Sequence, residues 1–367
     1  MSKFAPRPHL AAIERTAERH EGREGFICLD RNERASPIPD DLFRAMLAQL
    51  TPHDVMAYPD AGRFIAKLSS GLGVPESWIA ETNGSDAALR RVFMAFLAPE
   101  RTVVTLNPSY AMYGLYTRIF EGKLRDVAYR ADRTCDVAAV LDAIRDDVAL
   151  VILAHPDQPM GTAIDAADVR RIVVRAADVG AVCVVDEAYY PFYPKTILPL
   201  TREFENLVVT RSFSKYPGCA GIRLGYAVAQ PVLIKGLMSV RGGNEVSALS
   251  LSIGSYMLDH PHIAEDFRAG VEQGRRLLVD AAVALGFDPL LCVTNFQHLR
   301  CGRGISPVAV ADGLKRHGYL VKAGFSHPIL SGCIRVSLNG PDIMQPFVEA
   351  LARTMNEIRP VTSAPAG

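Results

Sequence analysis

The sequence predicts an α/β protein, with a large domain on a mostly parallel sheet and a smaller α/β domain after it. Three observations carry the prediction. The chain has 367 residues, too many for one small core and about right for two domains of ordinary size. Its middle alternates helical stretches with near-continuous apolar runs, Val148 to Ala154 and Ala181 to Asp186, the pattern of strands buried on both faces of a parallel sheet. Past Val240 the composition shifts, with Gly242-Gly243-Asn244 marking the break.

Composition excludes several function classes. Forty Lys and Arg balance forty Asp and Glu, so no net field recruits nucleic acid or an anionic membrane. Seven cysteines (Cys28, Cys135, Cys183, Cys219, Cys292, Cys301, Cys333) form no C-x-x-C pair, and their odd count points to free thiols in a reducing, cytoplasmic setting. The N-terminus carries charge where a signal peptide needs an apolar region, and no apolar run reaches the ~18 residues of a membrane span. The sequence has no internal repeat and no metal-ligand cluster. No G-x-G-x-x-G follows a strand, which argues against a nicotinamide dehydrogenase.

In chain order, residues 1 to about 25 are charged and broken by Pro6 and Pro8, an arm in which Leu10 to His20 can form a short helix. A short apolar strand begins at Phe26, and a Pro-rich turn leads to a helix over Asp40 to Leu50. Tyr58-Pro59-Asp60 is a turn. At Glu81 to Leu97 a loop, E-T-N-G-S-D, becomes a helix with Ser85 or Gly84 as N-cap and an apolar stripe at Ala88, Leu89, Val92, Phe93 and Phe96. Free N–H groups at such a helix start suit a phosphate dianion. A strand over Thr102 to Leu106 precedes N-P-S-Y-A-M-Y. The strand Val148 to Ala154 delivers H-P-D-Q-P-M-G-T, and a helix over Ala166 to Val179 leads into the strand ending D-E-A-Y. An Asp at the carboxyl end of such a strand stands where open α/β sheets bind ligands. Beyond Val240, helices are expected at Leu249 to Met257, Ile263 to Leu285 and Pro307 to His317, and strands at Leu291 to Leu299, Leu320 to Lys322 and Cys333 to Leu338. The tail from Arg359 is expected to fray.

The richest stretch is Thr210 to Tyr226, T-R-S-F-S-K-Y-P-G-C-A-G-I-R-L-G-Y, lying between the apolar runs Leu207 to Val209 and Ala227 to Ala229. Two hydroxyls (Ser212, Ser214), one amine (Lys215), two glycines (Gly218, Gly221) and a guanidinium (Arg223) supply what is needed to hold a phosphate beside a reactive lysine. That combination suggests pyridoxal phosphate.

S-x-S-K followed by R-x-G resembles the lysine segment of the fold-type I aminotransferases, and S-K-x-x-x-x-A-G-I-R-L-G-Y is most similar to their histidinol-phosphate aminotransferase branch. The resemblance spans roughly residues 26 to 355. It implies a seven-stranded, mostly parallel sheet flanked by helices, with an arm at 1–35, a large cofactor domain at 36–242 and a small domain at 243–367. It also implies site roles. Lys215 bonds covalently to the cofactor, while Ser212, Ser214 and Arg223 grip its phosphate. N-G-S-D matches the family's phosphate loop, so Gly84, Ser85 and Asp86 join the site chiefly through backbone. P-S-Y-A-M-Y resembles P-T-Y-x-M-Y and lays Tyr110 on the pyridine ring. D-E-A-Y gives Asp186 to the ring nitrogen and Tyr189 to the ring hydroxyl. A buried carboxylate there keeps the ring nitrogen protonated and able to accept electrons. Y-P-D implies that Tyr58 reaches the cofactor phosphate of a neighbouring subunit, which requires a homodimer. C-I-R-V-S resembles L-R-I-S and assigns Arg335 to the substrate's acidic group. Where relatives read N-P-N-N-P-T-G, this chain has His155, Asp157, Gln158 and Met160 changed, so Gln158 stands where an asparagine reaches the ring hydroxyl. The implied activity moves an amino group between an amino acid and a small, possibly phosphorylated, keto acceptor. One rival is decarboxylation of a phosphorylated amino acid, which shares the lysine segment. Another is the cofactor domain of a transcription regulator, for which only about 25 residues precede the matching region.

Overall fold

The structure, a computed structural model, describes residues 4–13 and 22–358. Its twelve strands are β1 (Ile27–Leu29), β2 (Ile79–Thr82), β3 (Thr102–Asn107), β4 (Lys123–Ala128), β5 (Val148–Ala154), β6 (Val182–Asp186), β7 (Leu207–Ser212), β8 (Gly225–Ala229), β9 (Asp288–Leu290), β10 (Phe296–Arg300), β11 (Tyr319–Val321) and β12 (Cys333–Ser337). Seven of them form one sheet in the order β2-β8-β7-β6-β5-β3-β4. β8 runs antiparallel to both its neighbours and all other pairs are parallel, giving the expected mostly parallel sheet.

The central strands are apolar because neither face meets water. β7 and β8 are buried at every residue, and β5 at all but Ala149. On one face the helix Gly84–Phe96 lays Ala88, Leu89, Val92 and Phe93 against Leu150, Ile152, Val184, Val208 and Ala227, and the helix Pro231–Ser239 adds Leu233, Ile234 and Leu237. Burying side chains of this size contributes about 1.5–3 kcal/mol each relative to exposure.

The described residues fall into two compact units, one containing 4–13 and Pro39–Ala264, the other 22–38 and Glu265 onward. This partition differs from the expected breaks at 35/36 and 242/243. The helix Ala248–Asp259 stays with the first unit because it packs on the helix Gly62–Leu72; Gly254 has no room for a β-carbon, which would fall 2.2 Å from Leu224 and 3.1 Å from Phe64. The segment 22–38 belongs with the second unit because β1 pairs in parallel with β11 and the Asn32 amide donates to Ser337 Oγ at 2.7 Å. In that unit β9, β10 and β12 form an antiparallel sheet, flanked by the helices Pro307–Arg316 and Pro341–Ile358.

Element boundaries shift in places. In the arm a helix covers Pro8–Ala11; Ala12 and Ile13 are not helical, and residues 14–20 of the expected helix, like the tail from Arg359, lie outside the described residues. The helix expected to Leu50 ends at Leu47. The expected strand over Leu291 to Leu299 is instead β10, preceded by irregular chain, with β9 before it.

Candidate active site

Within the first unit, the carboxyl ends of the parallel strands carry most of the residues singled out from sequence. β2 ends at Thr82, and the helix after it starts at Gly84, with Asn83 in the N-cap position and no side-chain cap. The cap is therefore neither Ser85 nor Gly84. Gly84 has φ +76°, a left-handed conformation that costs a side-chain-bearing residue free energy. Adding a β-carbon there would bring it to 2.7 Å from Arg223 Nη2. Gly225, the first residue of β8, is equally constrained: its missing β-carbon would lie 2.6 Å from both Gly84 C and Ser85 N. Two glycines thus let strand, helix start and guanidinium converge.

Arg223, itself left-handed at φ 50°, donates through Nη1 to Ser214 Oγ at 3.0 Å, and the Ser214 amide donates to Ser212 Oγ at 3.1 Å. The uncapped helix start, the two hydroxyls and the guanidinium form a concave, cationic group of donors matching a phosphate. Lys215 follows Ser214 directly and is half-buried on the turn after β7.

The opposite chemistry gathers beside it. Asp186, the last residue of β6, is buried and accepts from Thr210 Oγ1 at 2.9 Å, from the Tyr113 hydroxyl at 3.0 Å and from the Ala188 amide at 3.2 Å. Burial outweighs these bonds and pushes its carboxyl up to about 6. A cationic partner would reverse that penalty. Tyr110 packs edge-on against Tyr113, ring centroids 5.6 Å apart and planes at 85°. Its hydroxyl donates to Asp86 Oδ1 at 3.5 Å, and Tyr116 donates to Asp86 Oδ2 at 2.8 Å. Asp86 therefore contributes a side chain as well as backbone. Tyr189 is buried close enough to Tyr110 for its charge to be felt there.

Beneath these residues Glu187 is buried and takes a two-pronged ion pair from Arg211, with Nε at 3.0 Å and Nη2 at 2.9 Å, while the guanidinium lies 3.6 Å from the centre of the Tyr190 ring. The pair joins the turn after β6 to the end of β7, the neighbours of Asp186 and Lys215. Sequence reading passed over Tyr113, Tyr116 and Thr210. Their signal was present: Tyr110, Tyr113 and Tyr116 recur at intervals of three, one face of a helix.

Three further predicted residues have surroundings of their own. Gln158, half-buried after β5, makes no hydrogen bond to other described residues. Tyr58 is 87% exposed. Arg335 belongs to the second unit, in the middle of β12, where Nη2 donates to the Asp30 carbonyl at 2.9 Å and the guanidinium lies 5.2 Å from the Phe296 ring centre. It pairs across the sheet with His298 on one side and Lys322 on the other.

The family model for class I and II aminotransferases matches residues 30–351. The chain belongs to that family. Among its relatives, histidinol-phosphate aminotransferase 1 of Burkholderia lata is 34% identical over 87% of this chain and 89% of its own. The histidinol-phosphate aminotransferase of Chromobacterium violaceum is also 34% identical, over 95% and 97%. The crystal structure of the Sinorhizobium meliloti histidinol-phosphate aminotransferase in complex with pyridoxal-5'-phosphate superposes with a TM-score of 0.84 at 26% identity, covering 98% of this chain and 99% of that one. The aminotransferase expectation, its fold type and its histidinol-phosphate-like branch are thereby shown.

Proposed function

We infer that this aminotransferase uses its Gly84, Ser85, Ser212, Ser214 and Arg223 group for the phosphate of pyridoxal phosphate, and the Asp186, Tyr110 and Tyr189 group for the ring. The chain is a pyridoxal-phosphate-dependent aminotransferase, and transfer of an amino group from an amino acid to a small keto acceptor is favoured over decarboxylation. The observation that carries the site reading is its polarity: a cationic cradle that leaves no room for a β-carbon at Gly84, beside a buried carboxyl raised by burial and without an ion pair among the described residues. The cofactor, when bound, supplies an electron sink for the donor's α-carbon.

The protein's own residues supply the rest. The cradle fixes the phosphate, so the far end of the molecule is oriented without further freedom. Asp186, held by Thr210, Tyr113 and the Ala188 amide, keeps its partner nitrogen protonated. Lys215 Nζ would hold the cofactor covalently, and as a free amine it would take the proton from the donor's α-carbon. Tyr189 and Gln158 stand for the ring hydroxyl, where an amide or phenol donor favours the ionised oxygen.

Profiling purified protein against a panel of amino donors and keto acceptors, phosphorylated and not, tests the reading. The expected result is amino transfer with an acidic acceptor; release of carbon dioxide without an acceptor requirement would replace it with the lyase. Arg335 is the candidate for the donor's acidic group. Lys cannot reproduce a planar two-pronged contact, and a charged hydrogen bond is worth about 1.5–3 kcal/mol, so Arg335→Lys is expected to raise the donor KM roughly tenfold or more. Cofactor affinity should stay as it is. An unchanged donor KM removes Arg335 from the role.

A homodimer with shared sites completes the proposal. Val55, Met56 and Tyr58 are 75%, 84% and 87% exposed, an apolar cluster of the kind a monomer seldom leaves in water. Tyr58→Phe and Lys215→Ala proteins mixed as heterodimers are expected to regain activity that neither has alone; no regain from proven heterodimers excludes Tyr58 from a shared site. A cytoplasmic setting fits seven free cysteines. Among the described residues no helix is long and apolar enough to cross a membrane.

A further inference from the structure

Asp157 is fully buried three residues past the end of β5, and nothing so far gives it work. Both oxygens of its carboxylate are bonded. Oδ2 accepts a short hydrogen bond from Ser109 Oγ and Oδ1 accepts from the Met160 amide at 3.2 Å, while the buried Tyr129 phenol lies close enough for the two groups to act on each other's charge. Its backbone closes the same loop, with its N–H donating to the Thr162 carbonyl and its own carbonyl accepting from Gly161 N–H, both at 2.8 Å.

The two donors and the Tyr129 phenol belong to three adjacent strand ends. Ser109 lies just past β3, Tyr129 directly follows β4, and Met160 is in the loop after β5, while the sheet order runs β5-β3-β4. One carboxylate thus ties the carboxyl end of β3 to the loop after β5 and lies within electrostatic reach of the residue that follows β4. Two of those ends carry candidate ring contacts next to the tied atoms. Tyr110 follows Ser109, and Gln158 lies between Asp157 and Met160. The groups whose charge Asp157 feels or exerts are Asp186, Tyr113, Tyr129 and Cys135, so it also lies within electrostatic reach of the carboxylate proposed for the ring nitrogen.

We propose that Asp157 is a positioning residue for the cofactor ring: through Ser109 and the Met160 amide it holds Tyr110 and Gln158 in one setting, and its carboxyl adds to the negative field of Asp186. The inference rests on the cofactor reading above. It gives the altered H-P-D-Q-P-M-G loop a function, because a carboxylate offers acceptors to several donors at once, whereas an amide has a single acceptor oxygen. Burial raises this carboxyl to about 7, consistent with a group whose charge responds to what is bound nearby.

The test uses Asp157→Asn, close in size to the parent side chain, together with Ser109→Ala and the double variant. Pyridoxal phosphate binding to cofactor-stripped protein is measured by titration, and the bound cofactor's visible band is followed against pH. Asp157→Asn is expected to weaken cofactor binding roughly fivefold or more and to lower the pH midpoint of the band by about half a unit, since a nearby negative charge has gone. Ser109→Ala should weaken binding in the same direction, and the double variant should fall short of the product of the two, as joined residues do. Unchanged binding and midpoint in Asp157→Asn, or a fully multiplicative double variant, overturns the proposal. Should Asp157→Asn fail to fold, an unchanged midpoint in both Ser109→Ala and Tyr129→Phe overturns it equally. A parent protein that takes up no cofactor would instead strike at the cofactor reading itself.

Discussion

Lys215→Ala is expected to abolish the visible absorption of the bound cofactor and to reduce turnover by at least about a thousandfold, the combined loss of a covalent attachment point and a proton carrier. Arg223 and Ser214 are bonded to each other and keep the phosphate contacts proposed for them in this variant, which should therefore still bind the phosphate end. Borohydride reduction of the parent followed by peptide mapping gives the independent check. Label at any other lysine would end the assignment, and a variant that kept its absorption band would do the same.

The second large effect belongs to Asp186. Asp186→Asn keeps the shape but leaves one acceptor oxygen where two now serve Thr210 and Tyr113, and it removes the charge proposed to hold a ring nitrogen protonated. Loss of one fixed electrostatic partner of developing charge typically costs about a hundred- to a thousandfold, and the same is expected here in kcat. A stability measurement on cofactor-free protein separates this from general damage. The folded carboxyl sits at about 6, above its ordinary 3.8, so its favourable contribution is complete below about pH 4 and is lost as the pH rises through 6. Two units correspond to about 3 kcal/mol. Asparagine does not titrate. Relative to the parent, the cofactor-free variant should therefore gain stability between pH 4 and 7, seen as a growing difference in Tm. A flat difference would mean that Asp186 is not the group that titrates.

What the sequence made legible and what it did not follow from where water is. The buried strands β5, β6 and β7 announce themselves because both faces exclude water and nearly every residue is apolar; the residues at their ends, Gln158, Asp186 and Lys215, could then be placed on one edge of a sheet. β4 gave no such signal. As an edge strand it leaves Lys123, Leu124, Asp126 and Ala128 exposed, and its text, K-L-R-D-V-A, reads like a surface loop. The N-cap of the helix after β2 is Asn83, one residue before Gly84 and two before Ser85: capping preference ranks Asn and Ser alike, and the left-handed Gly84 sets the start by geometry. The hydrogen bonds of Asp186 were out of reach for a different reason: Tyr113 and Thr210 lie 73 and 24 residues from it, and sequence spacing carries no record of such a meeting. The division into compact units depends on the same kind of contact. Gly242 to Asn244 does punctuate the chain, but which unit the helix Ala248–Asp259 joins is decided by its contact with Gly62–Leu72.

The union of β1 with β11 has a consequence for how the protein is made. Asn32 and Ser337 are bonded across 305 residues, so during synthesis the segment bearing β1 leaves the ribosome hundreds of residues ahead of the strand it will pair with. At about 5–20 residues per second it waits some tens of seconds, its edge unpaired, while the first unit can already be folding. A nascent chain halted before β11 would thus hold an unsatisfied N-terminal strand, a handle for chaperones and proteases that the finished chain withdraws.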